Sequence, residues 1–142
     1  MAPKRTTKAK RTYEDLQDHI PSLTVPVIDT FRNVYTDRPY TIDMTIPEFT
    51  AICPKTGLPD FGILHITYVP DKLCLELKSL KEYIVSFRSL GIFHENVVNK
   101  VLDDLVKACK PRSMTVQGDF NIRGGIHTEV SVEYVKGRRR RP

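Results

Sequence analysis

Tyr40, Ile42, Met44 and Ile46 alternate with polar residues, a period of two that predicts a half-buried strand. Prolines at 21, 26, 39, 47, 54, 59 and 70 cut the first half of the chain into short pieces and disfavour long helices there. Residues 48–60 read as a loop, and residues 61–69, rich in aromatic and β-branched side chains, as a second strand. Leu73, Leu75 and Leu77 alternate as a short continuation or a hairpin partner. The period then changes. Residues 79–90 have a helical pattern that opens with the capping-box sequence Ser79-Leu80-Lys81-Glu82 and closes before Gly91. Val97, Val98, Val101, Leu102, Leu105, Val106 and Cys109 form one apolar stripe of a second helix, which Pro111 stops. Alternation returns at Met114, Val116, Gly118, Phe120 and Ile122, and again from Ile126 to Tyr134, with Arg123-Gly124-Gly125 as the hairpin turn between them. Strands, two helices, then strands predict an α+β fold, an antiparallel β-sheet with two helices packed on one face. Its two open sheet edges predict a homo-oligomer.

A length of 142 residues fits one domain, and 40% hydrophobic with 27% charged residues is the balance of a chain that buries a core. The net charge of +5 is unevenly placed. Ten of the 22 basic residues lie in the first eleven and last seven positions, where there is no acid, so residues 12–135 carry 12 basic against 17 acidic side chains. The expected division is a basic tail and short arm over 1–20 (with a helix or arm at 13–19), a folded domain over 21–136, and an Arg-rich tail over 137–142. Such basic blocks are solvated and could touch RNA non-specifically, but no basic globular face is indicated. No apolar run approaches the roughly 18 residues of a membrane span, and no signal peptide is read at the start. Three cysteines without a disulfide spacing point to a reducing cytoplasm. A secreted mini-protein, a membrane protein and a two-domain Rossmann enzyme are thereby disfavoured.

Cys53 stands in a loop bounded by proline and glycine, where a thiol can be presented to a ligand, and Asp60, seven positions on, could face it as a proton carrier. The plainer reading makes Cys53 a small buried hydrophobe and Asp60 a turn residue. Cys74 and Cys109 fall on apolar patterns and read as core. His94 and Glu95 open the second helix, where a carboxylate either caps the helix or accepts paired N–H donors from a guanine-type ring; Glu76 has the same capacity. Lys78, Ser79 and Lys81 cluster at the start of the first helix, either as a solvated helix end or as a phosphate-binding one. Neither a Rossmann nor a P-loop glycine motif is present, and His65, His94, His127 and the cysteines lack metal-ligand spacing.

Three segments together are more specific: Cys53-Pro-Lys-Thr-Gly-Leu-Pro-Asp60, then Glu76-Leu-Lys-Ser-Leu-Lys81, which continues to Arg88, then Phe93-His-Glu95. In this order they resemble the 7-cyano-7-deazaguanine reductases, which make a precursor of the tRNA base queuosine. The likeness runs from about Thr24 to Tyr134, takes in Arg123-Gly-Gly-Ile126, and fits the single-domain form. The resemblance implies a tunnelling fold (T-fold) whose small domains assemble into oligomeric rings with shared active sites. It implies an NADPH-dependent nitrile oxidoreductase that uses two NADPH per turnover and no catalytic metal. It further implies Cys53 as nucleophile forming a thioimide, Asp60 as proton carrier, and His94 as a proton-transfer or pocket residue. Leu75, Glu76, Leu77, His94 and Glu95 would line and anchor the substrate, and Lys78, Ser79, Lys81, Arg123 and Gly124 would meet the cofactor. Neither a membrane nor direct nucleic-acid binding is expected. Three alternatives stand beside it: a relative of the same fold that adds ammonia to the nitrile, an RNA-binding module using the tails, and a zinc-dependent pterin or purine enzyme.

Overall fold

The computed structural model describes residues 17–138; the N-terminal basic tail, most of the expected arm and residues 139–142 of the Arg-rich tail lie outside the described residues. The elements in chain order are β1 (Thr30–Arg32), β2 (Ile42–Ile52), β3 (Pro59–Val69), β4 (Leu73–Leu75), α1 (Leu77–Val85), α2 (His94–Cys109), β5 (Ser113–Arg123) and β6 (Ile126–Val135). Antiparallel pairing gives a four-stranded sheet in the order β2-β3-β5-β6 and a small β1-β4 sheet. The α+β expectation therefore holds.

The core follows from strand phase. Even positions of β3 and β5 point to one face, so Leu64, Ile66 and Tyr68 pack beside Met114, Val116 and Phe120. α2 crosses β5 and β6 on that face and buries Val97, Val98, Val101, Leu102, Leu105 and Cys109, the stripe read from the sequence. α1 and the 3-10 turn after it, Ser86–Ser89, lie against β2, with Phe87 set between Phe49 and Tyr83. Two charged residues, Asp60 and Lys100, join the buried set. Lys100 Nζ reaches Asp104 at 3.0 Å and the carbonyl of Leu23 at 3.2 Å, and so holds the segment after the 3-10 turn Ile20–Ser22 against α2.

Several expectations need correction. The region read as a loop over 48–60 is mostly strand: β2 continues to Ile52, and only residues 53–58 connect it to β3. The alternation was lost because a bulge lies between Ile46 and Phe49, where Pro47 and Glu48 oppose a single residue of β3. Buried positions then move to Phe49 and Ala51. The residues at 73–75 do not pair with β3 but with β1, a three-residue strand that the sequence pattern did not disclose. The first helix starts two residues before Ser79, with Glu76 as its N-cap, so the capping-box reading fails. Within the stretch expected as a short arm, Gln17 bonds to Gly91 and Asn96 and Ile20 is buried. Among the described residues no helix is long and apolar enough to cross a membrane.

Candidate active site

The loop between β2 and β3 is closed by its own backbone: the Cys53 N–H donates to Leu58 O at 2.8 Å and the Gly57 N–H to Cys53 O at 2.9 Å. Cys53 is half-buried, whereas Cys74 and Cys109 are buried. Burial pushes the Cys53 thiol up, and the nearby Asp60 charge adds to this. Hydrogen bonds from the Thr56 side chain and from the backbone of Thr56 and Lys55 outweigh both, and the thiol is held below its ordinary value. Cys109, by contrast, is pushed up to about 12 by burial. Only Cys53 combines access with an activated sulfur.

Asp60 continues the buried face of β3 opposite Ala51 and is 5% exposed. Its Oδ2 lies 3.4 Å from His94 Nε2, and its Oδ1 meets the Arg123 guanidinium. His94 is placed from two directions. Ile52 and Gly91 form a parallel bridge, with Ile52 N–H to Leu90 O at 2.9 Å and Ile92 N–H to Ile52 O at 3.0 Å, which ties the approach to α2 to the strand end that carries Cys53. Gln17 adds to this clamp by accepting from Asn96 Nδ2 at 2.9 Å and donating to Gly91 O at 3.1 Å. From below, the imidazole stacks on the Phe120 ring, with centroids 3.9 Å apart and planes 1° apart. Two glycines make room for that ring. A Cβ at Gly118 would lie 2.7 Å from Phe120 Cε2, and one at Gly62 would lie 2.9 Å from Phe120 Cδ1. Glycine in an otherwise β-branched and aromatic strand was the available clue to this close approach.

The remaining residues divide by exposure. The Glu95 carboxylate is exposed at the start of α2 and has no hydrogen bond or ion pair among the described residues; Phe93, not Glu95, occupies the N-cap position. Glu76 is committed: its two oxygens accept the Lys78 and Ser79 N–H groups at 2.7 Å each, and these bonds hold its carboxyl below the usual range. The α1 N-terminus, expected to be open to a phosphate, is thus filled by the chain's own carboxylate. Ser79 is buried, with its Oγ accepting from Asp29 N–H at 2.8 Å and donating to Glu76 O at 3.0 Å. Leu75 is buried in the core and Leu77 is 65% exposed. Lys78 and Lys81 are exposed, one helical turn apart, and unpaired among the described residues. Arg123 and Gly124 sit at the tip of the β5–β6 hairpin, where Gly124 and Gly125 adopt φ of +56° and +77°. The open face of β5 and β6 also carries His127 Nε2 2.5 Å from Asp119 Oδ1, an exposed ion pair that raises the imidazole, with Glu129 4.0 Å away.

What fold and site define together is a two-layer α+β domain that offers an activated loop thiol beside a buried acid and a half-buried imidazole, equipment for covalent addition to an electrophilic carbon. Known proteins make the class specific. The model of the QueF-like protein family matches residues 59–139. The NADPH-dependent 7-cyano-7-deazaguanine reductase of Chlorobaculum tepidum is 58% identical over 112 residues, covering 79% of this chain and 96% of that protein. That of Chlorobaculum parvum is 59% identical over 108 residues, covering 76% and 93%. A crystal structure of the archaeosine synthase QueF-Like in the apo form shares the fold, with a TM-score of 0.63 at 22% identity over 68% of this chain and 94% of that one. This chain belongs to the QueF-like family and has its α+β T-fold.

Proposed function

We propose that this protein reduces the nitrile of 7-cyano-7-deazaguanine to the aminomethyl group with NADPH, through a thioimide on Cys53. The observation that carries the proposal is the Cys53 thiol, held toward its thiolate near the buried Asp60 and its half-buried neighbour His94. The reductase names of relatives more than half identical over most of their length support the same reading. Cys53 adds to the nitrile carbon: a C–S bond forms, one C≡N π bond opens, and the thiol's proton ends on the nitrile nitrogen by way of Asp60. His94 keeps its ring plane on Phe120 and its Nε2 toward Asp60, so the proton path stays at one edge of the site. Glu95, free and exposed, accepts the paired N–H donors of the purine-like ring.

The unpaired Lys78 and Lys81 fit a phosphate-bearing cofactor, while Ser79, whose hydroxyl is already used inside the fold, holds the helix start in place. When bound, NADPH supplies a hydride, and nitrile to amine takes two. The exposed Glu95 and the unpaired edges β2 and β6 support a ring of copies that closes each pocket. An apolar groove of about 480 Å³ between β2 and α1, bordered by Met44, Ile46, Leu80 and Ile84, is surface that such a neighbour would cover.

Intact mass spectrometry tests the proposal. The protein mixed with the nitrile alone gains the mass of one substrate, Cys53→Ala gains nothing, and NADPH then discharges the adduct with loss of its absorbance. An adduct on Cys53→Ala would move the nucleophile elsewhere. An adduct that ignores NADPH but is discharged by ammonia would assign the chain to the amidine-forming branch of the fold.

A further inference from the structure

Arg123 occupies a place that strand phase alone would not give it. Along β5 the even positions 114 to 120 are buried, so a regular strand would bury Ile122 and turn Arg123 away from the core face. The pairing of β5 with β6 is irregular between Phe120 and Arg123, and the phase reverses there: Ile122 is 68% exposed, and Arg123 swings onto Asp60. Strand irregularities beside a site commonly re-aim a side chain in this way.

The guanidinium then grips two consecutive residues at the start of β3. Its Nη1 contacts Asp60 Oδ1, and its Nη2 donates to Pro59 O at 3.3 Å. Asp60 Oδ1 is buried and accepts no aligned hydrogen bond among the described residues, so Arg123 is the group that balances its charge. The two carboxylate oxygens thereby face different neighbours, Oδ1 the Arg123 guanidinium and Oδ2 the His94 Nε2 at 3.4 Å, an approach short of an aligned hydrogen bond. A carboxylate fastened at one oxygen cannot rotate away from the other's partner, which a proton carrier near a thiol requires.

We infer that Arg123 is a positioning residue for Asp60, acting on the proton-transfer step of thioimide formation and not chiefly on the cofactor. This rests on the function proposed above, and the two separate cleanly because thioimide formation needs no NADPH. The measurement is the rate of adduct formation with the nitrile alone, followed by intact mass, in the full-length protein. Arg123→Ala slows it about tenfold or more, the scale of a displaced catalytic group. Arg123→Lys restores part of the rate, because an ammonium still meets Oδ1 but loses the second contact to Pro59. In an Asp60→Asn background, Arg123→Ala adds little, since the two act as one unit. Melting curves of the Ala and Lys variants establish that both are folded; if Arg123→Ala does not fold, Arg123→Lys and Arg123→Gln carry the comparison. Adduct formation at the wild-type rate, with only the NADPH KM raised, overturns the inference and leaves the reductase reading intact. No adduct in the wild-type protein removes both.

Discussion

Replacing Gly118 by alanine adds one methyl group under the ring that carries His94. The new Cβ would stand 2.7 and 2.8 Å from two Phe120 ring carbons and 2.8 Å from Val98 Cγ2. Carbon atoms rest comfortably at about 3.5–4.0 Å, so something must retreat by about 0.7 Å or more. Gly62 bounds the same ring, since a Cβ built there would lie 2.9 Å from its Cδ1, so Phe120 has little room to retreat along the sheet. The ring is therefore driven toward the imidazole stacked on it at 3.9 Å. Overpacking of this kind costs about 1–3 kcal/mol, which for a domain of this size lowers the melting temperature by roughly 3–10 °C. Displacing His94 from Asp60 slows thioimide formation about tenfold. Adding Phe120→Leu relieves the crowding but removes the stacking surface, so the melting temperature recovers while the adduct still forms slowly. Differential scanning fluorimetry and intact mass read the two effects separately. A Gly118→Ala protein that melts and reacts like the wild type would refute the claim that this glycine seats the ring.

Two further substitutions probe the thiol and the cofactor. Thr56→Val removes a side-chain hydrogen bond that holds the Cys53 thiol below its ordinary value, so the pH midpoint of adduct formation moves up. The fold-loss of rate is fullest in solution more acidic than the lowered thiol value, shrinks as pH rises past it, and vanishes in alkaline solution where both proteins are thiolate; an unchanged pH–rate profile would show that Thr56 does not tune the thiol. Lys78→Ala with Lys81→Ala raises the NADPH KM about 3–10-fold, the scale of two exposed charge contacts, and leaves adduct formation unchanged. Equal loss of both steps would make these lysines structural.

The elements whose polarity follows one uninterrupted period could be read directly: the α2 stripe from Val97 to Cys109, the β5 alternation from Met114 to Phe120, and β6 beyond the Arg123-Gly-Gly turn. Reading failed where the period breaks. The bulge at Pro47 hid half of β2, and β1 is too short to show a pattern and exists through its pairing with β4. Site residues followed the same rule. The proposed roles of Cys53, Asp60, His94 and Glu95 came from the motifs that carry the family resemblance, whereas Phe120 under His94 and Arg123 against Asp60 had no such signal, since each depends on contacts between elements far apart in sequence. Glu76 and Ser79 show the opposite limit: residues competent for a ligand are already consumed by capping α1 and by holding Asp29.

Local chemistry and periodicity along the chain were enough to set the succession of strands, two helices and strands (β1 apart), the uneven charge and the reactive residue types, because each is a property of near neighbours. Which oxygen of Asp60 faces which partner, which ring supports His94, and that the exposed Arg123 reaches Asp60 while Ile122 faces solvent were settled by packing. A half-turn of strand phase exchanges an apolar side chain for a cation, and the phase past Phe120 is decided by how β5 and β6 pair across the sheet.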